Sequence, residues 1–177
     1  MLRIIGIDPG SQRTGYGIID INRGSPIYVT SGIIRLPKES LAQRLGLIFD
    51  GVSQLIEEYQ PEHFAIEEVF LARDPRAALK LGQARGAAIV AAVKAHLPVA
   101  EYAARSVKKA VVGSGAAEKA QMQMMVTQRL GLLGTPSEDA ADALAIALCH
   151  WQTSSTQAML SDEQSSAPSR FARGRNR

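Results

Sequence analysis

Two apolar periods divide the chain. Leu2, Ile4, Ile5 and Ile7 make a short run, interrupted by Gly6 and ended by Asp8. The run is strand-length and too short for a helix. Pro9-Gly10 then marks a turn. Thr14 to Asp20 and Ser25 to Leu36 read as two further strands, with Asn22, Gly24 and Pro26 as the turn residues between them. Three consecutive strands joined by short turns predict an antiparallel meander. Gly10, Gly15 and Gly17 fit two uses: hairpin residues, which the context favours taken alone, or a close approach of another group near Asp8.

The helical period takes over at Ser40. With Gln43 three residues on, it predicts a capping box, and Leu41, Leu45, Ile48, Val52, Leu55 and Ile56 extend the helix to near Tyr59, before Pro61. His63 to Phe70 is the next strand. Asp74 as cap and Pro75 at the first helical position open the longest predicted helix, to about Leu97. It is alanine-rich and carries Gly82 and Gly86 one turn apart, which suits either a dimer contact or tight contact with its own sheet. Val99 to Ala103 is a last short strand. Helices follow from Ser106, from about Ala116 to Leu130, and, capped by Ser137, through to Trp151. Domain organisation follows as one folded unit over residues 1–152 and a disordered tail over 153–177, rich in Ser, Thr and Gln and ending in Arg170, Arg173, Arg175 and Arg177.

Composition adds little until charge is mapped. The 177 residues are 46% hydrophobic and 21% charged, an ordinary globular balance, and no apolar run nears the roughly 18 residues of a membrane span. The single cysteine, Cys149, cannot form an intrachain disulfide, so a reducing, cytoplasmic compartment is expected, with no membrane partner. Net charge is +3, but it is uneven: Met1 to Glu62 has six Lys/Arg against seven Asp/Glu, whereas Arg73 to Lys94 and Arg105 to Arg129 each have five against one. Such stretches suit a polyanionic partner as well as they suit solvated helix faces. Arg73, Arg76, Lys80, Arg85, Lys108 and Lys119 are the candidate nucleic-acid contacts within them.

The candidate chemistry lies in the acids. Asp8 and Glu67 each lie at or near the end of an apolar strand, where an unpaired carboxylate is costly. Strands lie about 4.8 Å apart, so two neighbouring strands can bring both acids to one divalent ion. Glu68 points to the other face by alternation and is expected on the surface. Asp139 and Asp142, three apart in the first turns of the last helix, share a face that also carries Ala143, Ile146 and Ala147. Four converging carboxylates without a counter-ion would raise one another's pKa. Two Mg²⁺ ions would relieve this and stabilise an in-line phosphoryl displacement. His63, His96 and His150 show no metal spacing, and Met122, Met124 and Met125 read as helix contacts.

The segments GIDPGSQRTGYG, FAIEEVF, LKLGQARG, YAARSVK, VVGSGAAEK and DAADALAIA resemble, in order, the RuvC Holliday-junction resolvases, from the N-terminus to about His150. The resemblance implies an α/β, ribonuclease H-like fold, a central five-stranded mixed sheet flanked by helices. It implies a homodimer that resolves four-way DNA junctions by paired symmetric nicks, leaving 5′-phosphate and 3′-hydroxyl ends, in recombination and repair. Position by position it makes Asp8, Glu67, Asp139 and Asp142 catalytic and metal-binding, with two Mg²⁺ per site and Mn²⁺ a candidate substitute. It sets Lys108 and Lys119 beside the scissile phosphate, Lys119 as a catalytic group, and Phe70 as a ring stacking on an unpaired base, against the plainer reading of Phe70 as a core aromatic. A RuvA–RuvB branch-migration complex is the implied partner.

Two other readings fit parts of the sequence. Nucleotide-binding proteins of the sugar-kinase and actin kind also open with an apolar strand, an acid and a glycine turn, but this chain is short for two lobes and shows no second copy of the turn. A non-catalytic junction-binding subunit would lack one of the carboxylates, and all are present.

Overall fold

The computed structural model describes residues 1–69 and 74–166, with side chains to residue 156. The predicted meander is β1 (Leu2–Asp8), β2 (Arg13–Asn22) and β3 (Ser25–Arg35). Helix α1 (Leu41–Tyr59) starts at the expected capping box: the Ser40 hydroxyl accepts from the Gln43 N–H, and the Gln43 side chain accepts from the Ser40 N–H. Then follow β4 (His63–Glu67), α2 (Pro75–Lys94), β5 (Val99–Tyr102), α3 (Ala104–Val112), α4 (Lys119–Arg129) and α5 (Glu138–Ser166). The Asp74 carboxylate caps α2 by accepting from the Arg76 N–H.

The strands form one sheet of order β3-β2-β1-β4-β5, with β1–β2 and β2–β3 antiparallel and β1–β4 and β4–β5 parallel. This is the expected five-stranded mixed sheet. Strand alternation gives it two apolar faces. Ile5, Ile7, Ile18, Phe64 and Ile66 meet Ile48, Val52 and Leu55 of α1 and Ala84, Ala88, Ala91 and Ala92 of α2. On the other face Ile4, Ile19 and Ala65 meet Val107 and Val111 of α3, Met122 and Val126 of α4, and Leu144, Ala147 and Leu148 of α5. Asp8 follows the parity of Ile4, and Glu67 that of Ala65. Both acids therefore belong to the face covered by α5.

Gly6, Gly15 and Gly17 are not turn residues. They sit within β1 and β2, and α5 rests directly on them: a Cβ on Gly6 would lie 2.8 Å from the Ala147 nitrogen, and one on Gly17 would lie 2.7 Å from that of Leu144. Close approach, the less favoured reading, is the one realised at Gly15 and Gly17, because with Gly6 they leave a bare strip across two strands that lets a helix lie flat on the sheet. Gly10 is in the turn after β1, where the Thr14 hydroxyl donates to its carbonyl.

The last helix differs most from expectation. Expected to end near Trp151, it runs to Ser166, so the segment read as tail begins as helix. The hydroxyls of Thr153, Ser154 and Thr156 donate to carbonyls one turn back, at Cys149, His150 and Gln152, which lets a polar sequence keep the helix's form. Residues 167–177, with the four tail arginines, lie outside the described residues, as do Phe70 and Arg73. Among the described residues no helix is long and apolar enough to cross a membrane.

Candidate active site

Parallel pairing of β1 with β4 matches Ile7 to Ile66, and the next step along the register brings Asp8 level with Glu67. The two carboxyls are near enough that each acts on the other's titration. Asp142, one turn into α5, faces them across a cleft of about 330 Å³ lined also by Lys108 of α3 and by Lys119 and Met122 of α4. Five charged side chains from five elements thus share one small space.

Its electrostatics follow from burial and like charge. The Asp8 carboxyl is pushed up to about 8, first by burial, then by the negative charges of Glu67, Asp142 and Asp139. Burial also raises Glu67, opposed by the neighbouring Asp8 carboxyl and by the positive charges of Lys108 and Lys119. Asp142 is raised by burial, with Lys119 pulling the other way. Lys119 is held charged chiefly by its hydrogen-bonded ion pair with Glu138. Asp8 and Glu67 act as a pair that retains a proton well above the usual carboxylate range.

Asp139 lies at the rim. Its carboxylate is 3.9 Å from the guanidinium of Arg13, while its charge still acts on Asp8 and Asp142. Arg13 was not among the residues picked out from the sequence, and neither was Glu138 as the partner of Lys119. Both depend on β2 and α4 meeting the start of α5, which no local pattern announces. Arg76 and Lys80 are exposed on the first turns of α2. Arg85 is not brought to the cleft as a free cation: it donates to the Glu67 carbonyl and pairs with Glu101. Glu68 is half-buried rather than on the surface, bordering a second cavity of about 230 Å³ with Asp8, Glu67 and Leu81. The histidines are not all scattered: His63 and His150 hydrogen-bond to each other at 2.8 Å.

A larger groove of about 810 Å³ lies between β3 and the segment after α4, but no carboxylate, lysine, arginine or histidine lines it. The charged candidates therefore gather not at the larger groove but at the smaller cleft. Its donors fit a hard divalent cation, since Mg²⁺ takes carboxylate oxygens and each buried acid here lacks enough positive charge to ionise at its ordinary pH. As the side chains stand, no group of three or more among the described residues is arranged to hold an ion. Asp8 and Glu67 line the cleft together, and a bound cation would displace the proton that the raised Asp8 carboxyl retains.

Similarity to known proteins agrees with this geometry. The family model "Crossover junction endodeoxyribonuclease RuvC" matches residues 4–150. The chain is 60% identical over 154 residues to the protein of that name from Shewanella woodyi, covering 87% of this chain and 89% of the relative. It is 58% identical over 156 residues to the one from Tolumonas auensis, covering 88% and 90%. The solved structure of Thermus thermophilus RuvC in complex with Holliday junction substrate superposes with a TM-score of 0.81 at 35% identity, over 89% of this chain and 97% of that one. With the fold, the motifs and the matched length in agreement, the chain belongs to the RuvC crossover junction endodeoxyribonuclease family.

Proposed function

We propose that this protein resolves four-way DNA junctions as a divalent-metal-dependent endonuclease, acting in recombination and repair and residing in the cytoplasm. The observation that carries the reading is the convergence of Asp8, Glu67 and Asp142 with Lys108 and Lys119 on one cleft. An acidic pocket with a basic rim suits a phosphodiester, whose charge must be met by cations before a strand can approach buried carboxylates.

In this reading Asp8, Glu67, Asp139 and Asp142 hold two Mg²⁺ ions, with Mn²⁺ as a substitute. When bound, the ions make water a competent nucleophile at neutral pH and take up charge on the departing 3′ oxygen. The chain's own residues do the rest. The carboxylates supply fixed oxygens from two strand ends and one helix start, so their geometry is set by the sheet rather than by loops. Lys108 and Lys119 offset negative charge on the phosphate as it builds in the transition state, with Glu138 keeping the Lys119 ammonium aimed and charged. Arg13 engages Asp139 at the rim and is well placed to exchange that partner for a backbone phosphate. Arg76 and Lys80 hold DNA further out, and the basic residues of 170–177 add an accessory contact. On the family resemblance, Phe70 stacks on an unpaired base and Arg73 is a further DNA contact; both lie outside the described residues. The products are a 5′-phosphate and a 3′-hydroxyl.

Symmetric cutting needs two sites. Leu79, Gly82, Gly86, Val90 and Val93 form one stripe along α2; the three large residues are half or more exposed, and a Cβ on either glycine would touch nothing. We assign this face to a homodimer contact, because two glycines let a second copy of the helix come close and the large apolar residues flanking them are left exposed among the described residues. RuvA–RuvB remains the expected upstream complex on the family resemblance.

An end-labelled synthetic four-way junction tests the reading. Paired nicks at symmetric positions, dependent on Mg²⁺ and absent with EDTA, are expected. Binding without cutting in Mg²⁺, or cutting of linear duplex just as fast, would reject it.

A further inference from the structure

Arg85 was set among the candidate DNA contacts by its place in a basic stretch, and its surroundings argue otherwise. It lies on α2 between the buried Ala84 and Ala88, and its side chain is only 19% exposed. Its Nε donates to the Glu67 carbonyl at 3.0 Å, and its Nη2 pairs with the Glu101 carboxylate. Glu101 stands opposite Ile66 in the β4–β5 register. The guanidinium thus bridges a helix and two strands at the point where β4 ends.

That point needs a brace. Glu67 is the last residue of β4, and the residue after Asp8 on the neighbouring strand is Pro9, which has no N–H to offer across the ladder. On the β5 side the Glu68 N–H donates to the Tyr102 carbonyl. The Glu67 carbonyl is taken by the Arg85 Nε. A guanidinium presents its donors in a rigid plane, so satisfying both partners at once fixes the Glu67 main chain relative to α2 and β5. The Glu101 carboxylate is 47% exposed, so its attraction for Arg85 is screened and serves orientation more than stability.

We infer that Arg85 is a positioning residue for Glu67: it clamps the end of β4 so that the Glu67 carboxylate stands ready beside Asp8 for metal. The inference rests on the proposed role of Glu67 as a metal ligand. It also links α2, the helix assigned to the dimer contact, to the carboxylate cleft through one side chain.

The test uses the full-length protein and compares R85M, R85K, E101Q and E67Q. Each is measured for junction affinity without divalent ions, for single-turnover cleavage against Mg²⁺ concentration, for direct Mn²⁺ binding by calorimetry, and for thermal melting. R85M should bind the junction as the parent does, while its metal affinity and cleavage fall by about 10- to 100-fold, the usual effect of removing a group that orients a ligand. R85K, which keeps the charge but loses the planar fork, should fall between, and E101Q, which keeps an acceptor, should stay close to the parent. Parental metal dependence in R85M overturns the inference, and so does a loss of junction affinity that matches the loss of cleavage, since Arg85 would then be a DNA contact. If R85M does not fold, R85K decides by the same criteria. E67Q separates the two levels: parental cleavage by E67Q overturns the role of Glu67 and the inference with it, whereas an inactive E67Q beside a fully active R85M or R85K overturns the inference alone.

Discussion

Gly15 lies against the backbone of Asp139: a Cβ there would be 2.6 Å from the Asp139 carbonyl carbon and closer still to its oxygen. Gly15 is also the β2 partner of Asp8. One missing side chain therefore sets the height of the first turn of α5 above the strand that carries Asp8. Gly15→Ala should lift that turn, costing about 1–3 kcal/mol in stability as an overpacked contact. Cleavage should fall more steeply, toward 100-fold, since displacing a reacting group by about 1 Å has that effect. Melting curves and single-turnover nicking measure the two. Gly46→Ala in α1 is the control, as its Cβ would meet nothing within 4 Å and should gain about 0.4–1 kcal/mol. Equal behaviour of the two variants would refute the argument.

Asp8 carries the highest cost in the cleft. Its carboxyl sits at about 8 against an ordinary value of 3.8. Because the folded value is the higher one, the fold is favoured with Asp8 protonated, and that contribution is lost as pH rises through about 8. Asp8→Asn removes the titration. In EDTA at pH 8 the variant should melt above the parent, by about 2–4 °C for each kcal/mol recovered, and the gap should shrink as pH falls and close only near 3.8. Saturating Mg²⁺ should stabilise the parent and not the variant, while the variant keeps junction binding and loses cleavage. Mg²⁺-dependent nicking by Asp8→Asn would remove Asp8 from the mechanism.

The acids were legible because each sits where a simple periodic pattern stops. Asp8 ends an apolar alternation, Glu67 closes a run of Phe64, Ala65 and Ile66, and Asp139 and Asp142 open a helix on its apolar side. Such positions are fixed by local structure, and the sheet order only had to make β1 and β4 neighbours. Gly15 and Gly17 of β2 were ambiguous because a residue without a side chain leaves no trace of what fills its space. The surroundings of Arg85 were hidden for a related reason: charge counted along the chain says nothing about which cations are already engaged by Glu101 or a carbonyl. The His63–His150 contact joins residues 87 apart, beyond any periodicity. The extra turns of α5 were hidden because Thr153, Ser154 and Thr156 look like loop residues until their hydroxyls find carbonyls of their own helix.

The stripe on α2 makes a separate prediction. Val90 is 50% exposed at its centre, on the face opposite Ala84, Ala88 and Ala91. Val90→Glu leaves the chain's own core untouched but puts a charge where a second α2 is expected, and burying it unpaired would cost several kcal/mol. Sedimentation should show a monomer with unchanged melting at low concentration. On junctions the variant should make single nicks in place of paired ones. A variant that stays dimeric and cuts in pairs would move the contact elsewhere.

His150 gives a pH dependence unrelated to catalysis. It is buried on α5, with the His63 ring from β4 on one nitrogen and the Tyr102 hydroxyl from β5 on the other, each at 2.8 Å. Burial, and secondarily the charge of His63, lower its pKa from 6.5 to about 4. The folded state therefore holds it neutral where the unfolded chain would protonate it. The sign follows: this contribution is fully present above pH 6.5 and is lost as pH falls toward 4. At the lower end the loss is on the order of 3 kcal/mol, a large share of a domain's stability. His150→Gln keeps a donor and an acceptor at the site and cannot titrate. It should be somewhat less stable at pH 7.5 because its geometry is poorer, yet its stability should fall less between pH 6.5 and 4.5. Urea unfolding at several pH values measures this directly. Parallel acid limbs for parent and variant would show that the buried histidine pair does not set acid sensitivity.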